Sequence, residues 1–221
     1  MIMQSIMRRM RPQRRNALAA VAATLLVAAA IAAVLLNGSS GSHRPAPAGF
    51  SETSNSGFDG AALPPGRRAP EFTLHDRAGA PVSLSSYRGH VVMLAFVYST
   101  CGRVCVLLAQ QIRGALDELP KPVPVLLISA EPSADTAASI AAFLSEVSLT
   151  GRVRYLTGPA AVLRAIWHAY RVTPPERDRA GFENTISLAL IDGAGDERVL
   201  FQLEELTPEA LVHDARRLGA N

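Results

Sequence analysis

Cysteine is nearly absent from this 221-residue chain, occurring only as Cys101 and Cys105. The folded part must therefore bury its core without a set of staples. No cysteine lies near the long apolar run after Asn16, which excludes a lipid-modified cysteine as a membrane anchor. The first sixteen residues contain no acid, and Ala17 to Leu36 contains no charge and only Thr24 as a polar side chain. Internal repeats are also lacking. The formal charge of +3 and pI of about 9.2 come from the arginines of the first 68 residues, because Pro70 to Asn221 holds 14 Lys and Arg against 17 Asp and Glu. That region lacks the basic surface nucleic-acid binding requires, so nucleic acid is not an expected partner.

What is present at the start is a topology signal. Residues 1–16 carry Arg8, Arg9, Arg11, Arg14 and Arg15, and the twenty residues 17–36 form one apolar run. At about 1.5 Å per residue this run spans about 30 Å, the thickness of a bilayer's hydrocarbon core. The positive-inside rule keeps the arginines in the cytoplasm and places everything after Leu36 on the extracytoplasmic, periplasmic side of the cytoplasmic membrane. A cleaved signal peptide is the competing reading, since half of the run is alanine and Ala46-Pro47-Ala48 loosely resembles a cleavage site. The run is longer than the usual central region of a signal peptide, which favours an uncleaved single-pass anchor. Residues 37–69, rich in Gly, Ser, Ala and Pro without periodic apolar residues, are expected to be a flexible linker.

Residues 70–221 are then the one folded domain. Glu71 to Leu74 and Val82 to Leu84 read as a hairpin around Asp76 to Ala80. Val91 to Tyr98 is a continuous apolar run, as in a strand buried on both faces. A helix is expected from Arg103 to Leu119, stopped by Pro120, then a strand from Val123 to Ser129 and a helix from Ala134 to Leu149. Arg152 to Leu156 reads as a strand, Pro159 to Tyr170 as a helix, and Ile186 to Asp192 and Arg198 to Leu203 as paired strands. Thr207-Pro208-Glu209 opens a last helix with an N-cap, a first-turn proline and an acid. This order specifies an α/β fold, a thioredoxin-like mixed sheet flanked by helices.

The chemistry sits in Cys101-Gly102-Arg103-Val104-Cys105, directly after the buried strand and at the start of a helix. Two cysteines four apart on a helical turn share a face, within the Cα separation a disulfide requires. The same geometry presents two thiolates to Cu(I), a soft ion that prefers sulfur. The helix start and the Arg103 guanidinium both favour thiolate. The pair is therefore a dithiol redox centre, a copper site, or a disulfide staple in a non-enzymatic domain.

At this point the chain resembles the SCO/SenC proteins, membrane-tethered thioredoxin-like proteins of copper-centre assembly. Pro70 to Leu74, Leu84 to Val92, and Phe96-Val97-Tyr98-Ser99-Thr100-Cys101 with Cys105 carry the resemblance, and Ile128 to Pro132, Leu156 to Gly158 and Leu190 to Asp192 follow in order. Three residues between the cysteines are typical of this family. The resemblance implies copper bound by Cys101, Cys105 and a histidine just before the strand at Ile186, and a partner such as the copper-bearing subunit of cytochrome c oxidase. Here Glu183-Asn184-Thr185 stands in place of the family's Asp-His-Ser/Thr, so Asn184 occupies the third-ligand position. His168, beside Trp167, is the substitute weighed for it, while His75, His90 and His213 are expected away from the cysteines. The resemblance thus implies a dithiol reductant in cytochrome c oxidase assembly with at most a weak two-thiolate copper site; the alternative is a thiol-disulfide oxidoreductase or redox sensor without copper.

Overall fold

In chain order the strands are β1 (Ala61–Ala62), β2 (Thr73–His75), β3 (Pro81–Ser83), β4 (Val92–Val97), β5 (Val125–Ser129), β6 (Arg154–Leu156), β7 (Ser187–Ile191) and β8 (Glu197–Gln202). The α-helices are α1 (Arg103–Glu118), α2 (Ala137–Glu146), α3 (Ala160–Ala169), α4 (Arg179–Asn184) and α5 (Pro208–Arg217). The structure, a computed structural model, describes residues 56–220. The expected cytoplasmic segment, the span 17–36 and most of the linker lie outside the described residues. Among the described residues no helix is long and apolar enough to cross a membrane.

Six strands form one mixed sheet in the order β1-β8-β7-β4-β5-β6. β4, β5 and β6 are parallel, and β7, β8 and β1 continue the sheet antiparallel from β4. Every residue of β4 and β5 is buried, which is why both read as unbroken apolar runs rather than as alternating ones. With helices on this sheet the fold is thioredoxin-like, as expected. α1 ends where Leu119 turns to ψ 131°, the extended conformation imposed on a residue before proline. It packs closely on α5: a Cβ at Gly114 would lie 2.7 Å from Pro208 Cγ, so the contact requires glycine. Tyr170, at the end of α3, ties the β2–β3 hairpin to the sheet. Its ring lies 6.4 Å from that of Phe72 and 5.3 Å from that of Phe96, and its hydroxyl donates to the Pro70 carbonyl at 2.7 Å.

Two parts of the fold differ from the sequence-based expectation. The linker does not extend to Ala69, because residues 56–69 belong to the folded domain. β1 pairs with β8, the Leu63 N–H donates to the Arg198 carbonyl at 2.8 Å, and the Ala69 N–H donates to the Gly195 carbonyl at 3.0 Å. Fully buried Asp214 on α5 accepts from the N–H groups of Asp59 and Gly60. These attachments are made through backbone, so no apolar period marks them. The second difference is α4, which lies in a stretch without an expected element. Asp178 starts it by accepting from the Gly181 N–H at 2.9 Å, and Phe182 is its only buried side chain.

Candidate functional site

β4 delivers its chain into the loop Tyr98 to Gly102, and α1 begins at the next residue. Gly102 is the N-cap at φ 77°, ψ −142°, a conformation that favours glycine and turns the chain sharply into the helix. Cys101 precedes this turn and Cys105 lies in the first turn of α1. The two form a disulfide with a Cα separation of 5.7 Å. Cys105 is fully buried and Cys101 is 6% exposed, so what little of the pair meets solvent belongs to Cys101.

A hydrogen-bond network fixes the loop from below. The Asp135 carboxylate accepts from the Ser99 N–H at 2.6 Å, the Ser129 hydroxyl at 2.5 Å and the Tyr155 hydroxyl at 2.8 Å. The Ser99 hydroxyl donates to Ser139 at 2.8 Å, and the Cys101 N–H donates to the Tyr98 carbonyl at 3.0 Å. Burial, reinforced by the Asp135 charge and hydrogen bond, pushes the Tyr155 phenol well above its ordinary range, which keeps it a donor. Asp135 therefore links β5 and β6 to Ser99, the residue two before Cys101.

The other wall is α4. Phe182 packs on Tyr98 with ring centroids 5.5 Å apart, and Arg179 donates to the Tyr98 hydroxyl at 2.6 Å. Arg179 also reaches Glu131 at 3.8 Å. Burial raises the Tyr98 phenol above its ordinary value; Arg179 opposes the shift, and Glu183 and Glu131 add to it.

The residues singled out in the sequence are distributed as follows. Cys101 and Cys105 are joined. Arg103 is the first residue of α1, solvent-exposed, with no ion pair among the described residues. Asn184 is the exposed last residue of α4, three residues before β7, whose first residues run beside the end of β4 that leads into the disulfide loop. His168 is exposed on α3, whose neighbouring Trp167 turns inward and donates to the Ser129 carbonyl at 3.0 Å. His90 precedes β4 at the end remote from Cys101, and His75 lies in β2, as expected.

His213 lies on α5 and bonds Asp214 at 2.8 Å and Asp59 at 3.2 Å. The Asp214 oxygens of this group already accept backbone N–H groups, so the cluster serves to hold the start of the domain. As a metal site, the disulfide end offers two soft sulfurs, one just before α1 and one in its first turn rather than both on a helical turn as the sequence spacing led one to expect, a donor set that fits Cu(I) after reduction.

Sequence reasoning missed Asp135, Tyr155, Arg179 and Glu131. Asp135 falls inside the helix expected from Ala134 to Leu149, and nothing in the local pattern assigns its carboxylate to a loop 36 residues earlier.

The SCO1/SenC family model matches residues 61–219, and the chain belongs to that family. The copper-bound structure of Bradyrhizobium japonicum ScoI is 26% identical, with 68% of this chain and 99% of that one covered and a TM-score of 0.53. Apo Sco1 of Thermus thermophilus is 21% identical, covering 73% of this chain and 96% of its own, at a TM-score of 0.59. BsSco, described by its disulfide switch and as a member of the Sco family of cytochrome c oxidase assembly proteins, is 20% identical over 71% and 96%, also at 0.59. Among curated protein sequences none matches.

Proposed function

We propose that this SCO1/SenC protein is a membrane-tethered accessory factor of cytochrome c oxidase copper-centre assembly, acting through Cys101 and Cys105 as a dithiol reductant of a partner's copper-ligand cysteines. The observation that carries this reading is the pair itself: a disulfide of short span at the start of α1, where reduction leaves one sulfur just before the helix and the other in its first turn. A disulfide closing so short a loop constrains the unfolded chain little, which argues against a mere staple. In the forward step one thiolate attacks the partner's disulfide, a mixed disulfide forms, and the second cysteine displaces the partner's thiol. Two electrons and two protons pass to the partner, and Cys101–Cys105 is left oxidised; an extracytoplasmic thiol reductant resets it. Cu(I) is cargo rather than a resident cofactor, held weakly between two thiolates. The alternative, an oxidoreductase without copper, draws its support from the amide at Asn184. The tether is residues 17–36, with the folded domain in the periplasm, supported by the arginine cluster before Ala17 and the uncharged run after it.

Cu(I) titration of the reduced full-length chain in detergent, competed against a chelator of known strength, tests the copper part. Asn184→His adds an imidazole at the end of α4, and affinity should rise by about tenfold or more, a gain of about 1.4 kcal/mol, provided both thiols are present. An unchanged affinity with the fold intact refutes the placement of Asn184 at the copper site. A reduction potential below about −300 mV would refute the reductant role and leave the disulfide as structural.

A further inference from the structure

One side chain holds the segment that carries Asn184 against the redox loop. α4 has six residues, too few to persist without tertiary support. Arg179 lies across the Tyr98 ring, its guanidinium carbon 5.3 Å from the ring centroid, and donates to the phenol oxygen at 2.6 Å. It is also the cation nearest Glu131, whose Oε2 is buried without a hydrogen-bond partner among the described residues. Tyr98 in turn holds the N–H of Cys101 through its own carbonyl. A single guanidinium thus bonds a phenol and faces the Glu131 carboxylate at the base of the disulfide loop, while the Glu183 charge acts on the same phenol.

We infer that Arg179 is a positioning residue of the redox site, clamping α4 onto Tyr98 and Glu131 and thereby fixing Asn184 and the Cys101 loop in one arrangement. The inference rests on the reading of Cys101 and Cys105 as an exchanging pair. Removing the guanidinium frees α4 and leaves Glu131 without its cation. The local potential becomes more negative, which disfavours thiolates and so favours the disulfide.

The test is Arg179→Ala in the full-length chain in detergent, with Arg179→Lys and Tyr98→Phe beside it. Hydrogen exchange is read at Phe182 to Thr185 and at the Cys101 N–H, and the disulfide is equilibrated with a glutathione buffer. In that exchange one glutathione thiolate forms a mixed disulfide and releases a cysteine thiolate; a second releases the other and leaves as glutathione disulfide. Arg179→Ala should raise exchange at these amides at least about fivefold and shift the glutathione equilibrium toward the oxidised protein by about threefold, a size set by the guanidinium's partial exposure. Arg179→Lys should recover the equilibrium more than the protection, because it keeps the charge but not the planar fork. Unchanged exchange in Arg179→Ala overturns the clamp. Faster exchange with an unchanged equilibrium overturns the positioning role and leaves a structural contact. Should the wild-type disulfide fail to exchange with glutathione while the amides respond to Arg179→Ala, the proposed reductant function falls and the clamp stands.

Discussion

Asp135→Asn isolates the network beneath the disulfide, since it keeps the shape of the side chain and removes its charge. Three donors converge on the Asp135 carboxylate: the Ser99 N–H, the Ser129 hydroxyl and the Tyr155 hydroxyl. A carboxylate accepts all three at once. An amide can still accept from Ser99, but its NH2 then faces two hydroxyls that must turn their protons elsewhere. The Val97 carbonyl, 3.5 Å from the Tyr155 oxygen, is a poor substitute acceptor. Bonds to a charged group contribute about 1.5 to 3 kcal/mol and neutral ones about 0.5 to 1.5 kcal/mol, so each bond weakens by about 1 to 1.5 kcal/mol and the loss over three bonds is about 3 to 4.5 kcal/mol. For a domain of this size that lowers Tm by about 6 to 18 °C. Thermal and urea unfolding of the oxidised protein measure it, and Asp135→Ala, which strands all three donors, should cost more. A change below about 0.5 kcal/mol in Asp135→Asn would show that Ser99 and Tyr155 find other partners and that Asp135 does not hold the loop.

Stability should fall as pH rises above about 10, because the unfolded chain releases its tyrosine protons there while folded Tyr155, pushed up by burial and Asp135, keeps its own. Comparing urea midpoints at pH 9 and 11 should show a smaller fall in Tyr155→Phe; equal falls would remove Tyr155 from the account. The two sulfurs should also differ in reactivity, since only Cys101 shows any exposed surface. In Cys105→Ser the remaining Cys101 should react with a soluble disulfide at least about tenfold faster than Cys105 does in Cys101→Ser, and equal rates would contradict the burial difference.

The sheet was legible because its central strands are buried on both faces and its last helix opens with Thr207-Pro208, whose hydroxyl accepts from the Ala210 N–H at 3.2 Å. The cysteine pair was legible for a simpler reason: there are no other cysteines. Boundaries drifted where a side chain was claimed by tertiary structure, as at α2, which starts after Thr136 because Asp135 turns toward Ser99. β1 was not legible because its attachment is a pair of backbone partners and the N–H groups of Asp59 and Gly60 on a buried carboxylate. Arg179 was not legible either. It reads as one of several exposed arginines in Arg171 to Arg179, and its role depends on Tyr98, 81 residues earlier.

Disulfide and copper compete for the same lone pairs. Cu(I) requires thiolate sulfur, and the bond between Cys101 and Cys105 removes both donors at once. A Cα separation of 5.7 Å between the residue before the Gly102 N-cap and the first turn of α1 lets the same backbone serve either state, so switching between them calls for no large rearrangement of α1. The environment leans toward electron transfer. The start of α1 favours the anion that leaves when the disulfide is attacked, and a released Cys105 thiolate sits in that first turn. On the proposed reading, a cationic Arg179 on Tyr98 and an amide at Asn184 would offer Cu(I) neither the negative charge nor the imidazole that would retain it. The same two features leave thiol exchange intact, which is the ground on which we propose the reductant role ahead of copper storage.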